Sequence, residues 1–465
     1  MRVETLEDSS TTRARLRSEV AGDLAAAGAG VLAPLDRKEL ARTLTLSRLQ
    51  NLAAEQVRSG MLPMGAAEEH DLAKAVLNAL FGMGSLQELI DDPEIENIDV
   101  NGSDQVWVTY ADGTKAAAAP VADSDEHLVE IVRSSAARLG LSERRFDTAH
   151  PELDLCLPDG SRLSALMSVS RRPLLSIRRH RFTALTLEDL VGLGAFDAAM
   201  GSFLASCVRA RKNIVVAGGM NSGKTTLVRA LASEIGPRER VVTIEQAFEL
   251  GLDSDVSRHP DLVALEARGA NTEGEGEIPM ARLVRRALRM NADRVIVGEV
   301  LGDEVLPMLN AMSQGRSGSM CTIHADSSAG AFRRIASYAV QAAERLPVEA
   351  TNLLIAGAIH FVVFVDVVTE ASQVSISNGR SWPLDHDGLP LGRDAGAPQR
   401  FEALPRRRFV SSVREVVDAD GMQVVSNEVF RPGPGGRAVT GAPLRFETLE
   451  ELSAHGYQPA LGSRI

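Results

Sequence analysis

Gly218-Gly219-Met220-Asn221-Ser222-Gly223-Lys224-Thr225 is the stretch that decides the reading of this 465-residue chain. It fits G-x-x-x-x-G-K-[ST] without a gap, the pattern of a loop whose backbone N–H groups cradle phosphates. The flanks fit as well. Residues 213–217 (Asn-Ile-Val-Val-Ala) form a short β-rich apolar run, the strand that such a loop must follow. Residues 226–235 place Leu227, Val228, Leu231, Ala232 and Ile235 at helical spacing, and Gly236-Pro237 ends the helix. Strand, loop and helix N-terminus in this order make an anion site. Lys224 would add a point charge between β- and γ-phosphates, and Thr225 would offer a hydroxyl to Mg²⁺. Asn221 stands where many such loops carry Gly, and Asn is the side chain that best tolerates left-handed backbone. The candidate nucleotide-binding set is therefore Gly218, Gly219, Asn221, Ser222, Gly223, Lys224, Thr225 and Thr226. Lys38, Lys74, Lys115, Lys212 and Lys224 are the only lysines, against a large excess of Arg. A lysine here goes against the chain's own habit; a compact ammonium fits between phosphates where a planar guanidinium does not.

The length implies two to four domains, and 44% hydrophobic residues suffice for ordinary cores. A formal charge of −12 argues against nucleic-acid binding through a broadly basic surface. Cys156, Cys207 and Cys321 are scattered and show no metal-site spacing; they read as reduced core thiols in a cytosolic protein. The N-terminus has no apolar signal core. The most apolar stretch, residues 353–365, is too short to span a bilayer and reads as a buried helix leading into a buried strand. Direct bilayer insertion is not expected, so membrane association must come through a partner.

Composition shifts divide the chain. Residues 1–83 look helical in three pieces, broken near 28–34 and 60–63; a docking domain and a solvated helical appendage fit equally. Residues 84–182 read as a compact α+β domain. Strands end at Asn101-Gly102, Asp112-Gly113 and Pro158-Asp159-Gly160, and Asp123 with Glu126 reads as a capping box opening a helix that ends at Gly140. Residues 183–190 are a linker running into the next helix. In 191–368 apolar strands alternate with helices, at 213–217, 240–244, 294–297, 319–323 and 361–365, the pattern of a mainly parallel α/β sheet. Residues 369–465 form a C-terminal extension: an insertion over 369–405 rich in Gly, Pro, Ser and Asp, a hairpin from 409–417 and 422–430, and an irregular end.

Hydrolysis of a nucleoside triphosphate needs carboxylates and donors around the γ-phosphate, and a sheet of this kind presents them at strand C-termini. Glu245 follows the strand over 240–244, with Glu249 four residues on; it would orient or polarise a water, or both are surface carboxylates on a loop. Glu299 follows 294–297 and Gly298, and would hold Mg²⁺ through water or act as a base. Gly298 allows close backbone approach. His324 ends another buried strand, where an imidazole can contact the γ-phosphate without a fixed charge. Arginines are the remaining class, since transition-state charge is commonly met by an Arg from another domain or subunit. Arg162 follows the Pro-Asp-Gly turn, Arg178 and Arg179 end a strand, and Arg268 lies in a Gly- and charge-rich loop.

In order, these elements closely resemble the type II/IV secretion system ATPases, in the CpaF/TadA-like branch of tight-adherence pilus assembly. The resemblance is carried by residues 84–102 (GSLQELIDDPEIENIDVNG), 157–162 (LPDGSR), 185–190 (LTLEDL), the phosphate loop, 241–250 (VVTIEQAFEL), 264–268 (ALEAR), 286–300 (RALRMNADRVIVGEV) and 322–325 (TIHA). It covers roughly residues 84–368 and continues weakly into the C-terminal hairpin. It implies an α/β, RecA-like P-loop core behind an α+β domain and an N-terminal helical region. It also implies a cytoplasmic, hexameric ATPase ring on an inner-membrane platform protein, using ATP and Mg²⁺ bound between the N-terminal and RecA-like domains. On this resemblance Glu245 and Glu249 match the Asp box, Glu299 the Walker-B glutamate and His324 the His box. Arg162 and Arg178 or Arg179 match phosphate-contacting arginines, and Arg268 an intersubunit one. Gln246, Leu301, Arg316 and Ser164 depart from the pattern, standing for Asp, Arg, His and Asn; none touches Lys224, Glu299 or His324. Three functions follow as expectations: a motor for pilus assembly or protein secretion, a nucleotide-gated assembly protein with weak hydrolysis, and a conjugation-type secretion ATPase.

Overall fold

The structure, a computed structural model, describes residues 4–60, 62–138, 145–179, 185–270, 274–313, 317–369, 400–401 and 406–459. The first unit begins with α1 (Glu4–Ala26), α2 (Pro34–Arg58) and α3 (Ala66–Phe81). They break at Gly28 and Gly60, both at positive φ, and bury Leu16, Val20, Leu24, Ala41, Leu49 and Val76 among themselves. An amphipathic helix gains its stability from such a shared apolar stripe, so these helices form a bundle with its own core. Then come α4 (Leu86–Asp91), β1 (Ile95–Asn101), β2 (Val106–Tyr110), β3 (Lys115–Ala118), α5 (Asp125–Arg138), β4 (Glu152–Cys156), β5 (Arg162–Leu166) and β6 (Leu174–Arg178). The Asn-Gly and Asp-Gly signals end strands as read, with Gly102, Gly113 and Gly160 all left-handed. The α5 cap differs from the capping-box reading. Ser124 Oγ accepts from His127 N, while Asp123 N donates to the His127 ring; Ser sits one residue closer to the first helical turn. The expected helix end at Gly140 lies outside the described residues.

The second unit opens with α6 (Leu187–Gly192), which starts within the stretch 183–190 read as a linker and is capped reciprocally by Thr186 and Asp189. It continues through α7 (Ala198–Arg209), β7 (Ile214–Gly218), α8 (Lys224–Ala232), β8 (Val241–Glu245), β9 (Leu262–Glu266), α9 (Met280–Ala287), β10 (Arg294–Val300), α10 (Val305–Ser313), β11 (Met320–His324), α11 (Ser328–Gln341), α12 (Val348–Ala358) and β12 (Phe361–Thr369). The two-residue β13 (Arg400–Phe401) pairs with β3 of the first unit's sheet; the rest of the 369–405 insertion lies outside the described residues, apart from Thr369. β14 (Arg406–Ala419), β15 (Val424–Pro432), β16 (Ala438–Thr440) and α13 (Phe446–Ala454) then complete the second unit.

Among the described residues the first sheet is antiparallel, in the order β13-β3-β2-β1-β6-β5-β4. The second runs β16-β15-β14-β12-β7-β11-β10-β8-β9. From β12 to β9 every pairing is parallel, and β14 to β16 add an antiparallel flank. This is an α/β, RecA-like core with the phosphate-loop strand β7 in its middle. Ile214, Val215, Val216 and Ala217 are all fully buried, as expected of a parallel strand covered by helices on both faces. Successive residues serve opposite cores. Ile214 and Val216 join Phe203, Leu231 and Phe361, and Val215 and Ala217 join Ile244, Leu309 and Ile335.

Asn213 anchors the start of that strand. Its Nδ2 donates to Met312 O (2.9 Å) and Ala358 O (2.6 Å), and its Oδ1 accepts from Gly318 N (2.8 Å) and Ser319 N (3.0 Å). One buried amide therefore ties the ends of α10 and α12 and the entry to β11 to a single point. Its backbone N–H donates to His360 Nδ1 at 2.9 Å. Burial, with Lys212 nearby, pushes His360 down to about 4.

Two readings are corrected here. The stretch after the hairpin is not irregular over its described residues: Leu452 of α13 is fully buried, and Tyr457 and Phe430 stack edge-on against Phe203 at 5.4 and 5.1 Å. No local pattern marks it, because the aromatic contact that holds it joins residues 254 apart in the chain. Of the three thiols, Cys207 and Cys321 are buried but Cys156 is exposed, on the outward face of the edge strand β4. Among the described residues no helix is long and apolar enough to cross a membrane.

Asn213→Ala orphans two buried N–H groups and two buried carbonyls, and is expected to cost about 2–4 kcal/mol in urea unfolding. His360 supplies the pH dependence. Its folded value lies below the unfolded value near 6.5, so its contribution is full above pH 6.5 and is lost as pH falls toward 4. The loss amounts to up to about 3 kcal/mol, and the wild type is expected to lose more stability than His360→Gln between pH 7 and pH 5.

Candidate nucleotide site

β7 ends in a glycine because nothing else fits: a Cβ on Gly218 would lie 2.4 Å from Val365 O and 2.5 Å from Ser222 Oγ. The chain then turns through Met220, 78% exposed, and Asn221, at φ 55°. Gly223, at φ 99°, starts α8 with no side-chain cap. The first N–H groups of a helix have no partner within it, and the glycine N-cap offers no side chain to take their place. Ser222 Oγ is buried without a hydrogen-bond partner among the described residues. A loop that buries an orphan hydroxyl beside uncapped helix amides fits an anion with several acceptor oxygens. Thr225 and Thr226 lie half-buried in the first turn of α8.

Lys224 is 7% exposed. Its Nζ donates to Gly219 O at 2.9 Å and to His324 Nδ1 at 3.2 Å. His324 Nε2 in turn lies 2.7 Å from Glu299 Oε1. An ammonium only donates, so Nδ1 must accept; in a neutral ring the proton then sits on Nε2, the atom that faces Glu299. Lys224, His324 and Glu299, from three elements and spread over 101 residues, thus form one chain of polar contacts beside the loop. Burial lowers the Lys224 pKa, and the Glu299 and Glu249 carboxylates oppose that. Parallel pairing of β11 with both β7 and β10 brings the three together, and Thr322 Oγ1 pins β11 to Gly298 O at 2.6 Å.

Glu245 stands apart from this chain. It is 3% exposed, at the end of β8, and its Oε2 accepts from Glu249 N and Leu250 N, both at 2.7 Å. It packs on Gly298, where a Cβ would lie 2.9 Å from its Cγ. The glycine before Glu299 therefore makes room for another carboxylate's side chain. Burial raises the Glu245 pKa, while the two amides pull it down. Arg229 of α8 donates to Glu249 O, tying the helix after the phosphate loop to this turn. Gln246 is exposed, and Leu301 is 50% exposed with its N–H bound to Glu304 Oε1. Arg316 lies outside the described residues.

The arginines divide. Arg268 is exposed, and its Nε donates to Gly276 O at 2.9 Å. It follows β9, four strands from β7, roughly 19 Å across the sheet. In the first unit Arg162 and Arg178 face each other across β5 and β6. Arg178 is exposed and Arg162 half-buried, with Ser164 two residues on along β5. Arg179 is engaged by backbone: it donates to Asp92 O at 2.6 Å and to Ile90 O, the carbonyls closing α4. One contact escaped the sequence. Arg408 of β14 donates from Nε to Asn221 O at 2.9 Å. Three consecutive arginines opening a strand were the available signal, but only the pairing of β14 with β12 shows that they arrive at the phosphate loop.

Residues 80–426 match the model of the family described as type II/IV secretion system protein. A putative conjugal transfer protein of Mycobacterium tuberculosis (strain ATCC 25618 / H37Rv) is 38% identical over 256 residues, 53% of this chain and 70% of that protein. The type IV secretion system protein VirB11 of Brucella suis biovar 1 (strain 1330) is 30% identical over 324 residues, 63% of this chain and 86% of that one. Among solved structures, the VirB11 ATPase of the Brucella suis type IV secretion system in complex with sulphate is 27% identical, covering 62% of this chain and 92% of that chain at a TM-score of 0.32. The family model takes in most of the chain, from the first unit through the phosphate loop, Glu299 and His324 to the C-terminal hairpin, and on that match the chain is an ATPase of the type II/IV secretion system protein family.

Proposed function

We propose that the chain is a motor in which ATP hydrolysis drives pilus assembly or protein secretion. It would work as a homohexamer on the cytoplasmic side of an inner-membrane platform protein. The finer assignment, to the CpaF/TadA-like tight-adherence branch, rests on the motif resemblance over residues 84–368. The observation that carries the motor reading is the chain from Lys224 through His324 to Glu299 beside an uncapped helix N-terminus. A pure binding module needs the loop and the lysine, but not an ordered carboxylate next to them.

In this reading the amides of the loop and Lys224 hold the phosphates, with Thr226 and the Ser222 hydroxyl adding donors. Thr225 and Glu299 would hold Mg²⁺, which when bound neutralises phosphate charge. Such an ion keeps several waters and phosphate oxygens, so it needs no cage of three side chains, and none exists among the described residues. Glu299, 2.7 Å from His324 Nε2, would take the proton of the attacking water. Lys224 would exchange its bond to His324 for the terminal phosphate, so that the Lys224–His324 contact is made only when that phosphate is absent. Glu245 already accepts two backbone amides, so its part is to hold the turn carrying Glu249 and Gln246. Arg162 and Arg178 would add positive charge from the first unit, where Arg179 is engaged by the α4 carbonyls, and Arg268 from a neighbouring subunit.

A second reading, a conjugation-type secretion ATPase, is favoured by the 38% identity to a putative conjugal transfer protein. Deleting the gene separates the two: loss of surface pili or secreted protein supports the first, and loss of DNA transfer with pili intact supports the second.

Glu299→Gln is expected to cut steady-state ATPase activity about 10²–10⁴-fold while leaving ATP binding near wild type, whereas Lys224→Ala should abolish binding itself. If assembled wild-type rings show no magnesium-dependent turnover, the motor reading gives way to a nucleotide-gated assembly protein with weak hydrolysis, for which Gln246 is the first suspect. ATPase activity followed against assembly state by light scattering should rise as rings form, and Arg268→Ala should flatten that rise.

A further inference from the structure

We propose that Arg408 is a nucleotide-binding residue, reaching the α- and β-phosphates from the C-terminal hairpin of the same subunit. The inference rests on the reading that residues 218–225 hold ATP, and it adds a cation that no motif in the chain marks.

The sheet register puts Arg408 there. Val365 of β12 lies opposite Gly218 on one side and opposite Val410 on the other. β12 runs parallel to β7 and continues past its end to Thr369, while β14 comes back antiparallel. Residues 406–409 therefore lie beyond the tip of β7, at the level of the phosphate loop. Arg408 bridges the remaining distance. Its Nε donates to Asn221 O at 2.9 Å, and its Cδ lies 3.4 Å from where a Cβ on Gly223 would be.

What the guanidinium does not touch is equally informative. Other arginines of this unit that serve the fold are matched to acids: Arg294 to Glu239, Arg414 to Glu428 and Arg445 to Glu415. Arg408 is exposed, its cross-strand partner is Val367, and its Nη groups have no hydrogen-bond or ion-pair partner among the described residues. The Nε bond to a loop carbonyl fixes the plane of the group and leaves the two Nη atoms as a fork. That fork is the geometry with which arginine takes two oxygens of a phosphate.

The strand order decides which phosphates. Glu299 and His324 lie on β10 and β11, to one side of β7, and Arg408 comes from β14 on the other. The terminal phosphate belongs with the carboxylate and histidine. The opposite flank of the loop belongs to the phosphates nearer the nucleoside. A contact there is present with ADP as well as ATP, so Arg408 contributes to holding the nucleotide and not to sensing its hydrolysis.

Isothermal titration of full-length protein with MgADP and with the non-hydrolysable analogue MgAMP-PNP tests this. Arg408→Ala is expected to weaken both by about tenfold and by the same factor, the loss of one charge-assisted phosphate contact. Arg408→Gln, which keeps a donor for Asn221 O but no charge, should lose as much. Three results would overturn the proposal: unchanged affinities, weakening of AMP-PNP alone, or full rescue by Gln, which would make the residue a holder of the loop. Wild-type protein that binds neither nucleotide would sink the ATP reading itself, whereas wild-type binding with an indifferent Arg408→Ala sinks only the role of this arginine.

Discussion

Ile214–Gly218 has no solvent-facing side, and most of the second unit follows from that. A strand buried on both faces must be flanked by parallel partners and covered by helices, so β11 and β12 lie against it and two apolar cores form, one on each face. It must also surrender the chain at its C-terminal end, where ladder pairing stops. The amides released there are the first N–H groups of α8, and Gly223 offers no side chain to cap them. The same parallel order delivers the ends of β10 and β11 to this point, and with them Glu299 and His324. At the other end of β7, Asn213 spends all of its side-chain hydrogen bonds closing the sheet beneath the site.

Electrostatics at the loop depend on keeping Lys224 occupied while it is nearly buried. A buried ammonium is costly unless it is hydrogen-bonded, and the Gly219 carbonyl and the His324 ring supply that, backed by Glu299. The arrangement couples the lysine that would meet the phosphates to the carboxylate that would meet the water, through one imidazole. Glu245 illustrates the opposite use of a carboxylate. Two short amide bonds and the surface of Gly298 hold it in place, so two acids on neighbouring strand ends have unlike surroundings.

Much of this was legible in the chain. The phosphate loop is a contiguous pattern, and its neighbours carry strand and helix periodicity, so residues 213–235 announce themselves. The strands containing Glu299 and His324 are apolar β-branched runs, readable because their burial on both faces leaves no polar interruption. β9 was not recognised as a strand, since Leu262–Glu266 is only half-buried at the sheet edge and mixes Glu with Leu. Arg179 looked like a charge free to reach a ligand; its bonds to the α4 carbonyls come from residues about 87 positions earlier. The cap of α5 fell one residue from its expected place because Ser124 and Asp123 are both good caps, and only the backbone path selects between them.

By itself the sequence determined the local chemistry: which loop can cradle phosphate, which strand tips carry acid, histidine or glycine, and where backbone must turn left-handed. Those properties depend on residues a few positions apart, whose geometry the chain's own stereochemistry fixes. Tertiary structure alone decided which of these groups meet. It placed Lys224 against His324 and His324 against Glu299. It moved Glu245 into a supporting position behind Gly298, brought Arg408 over the loop from 187 residues away, and folded the C-terminal end onto Phe203. Such meetings depend on strand order and register, which are settled by burial across the whole sheet and leave no mark in the local pattern of any one segment.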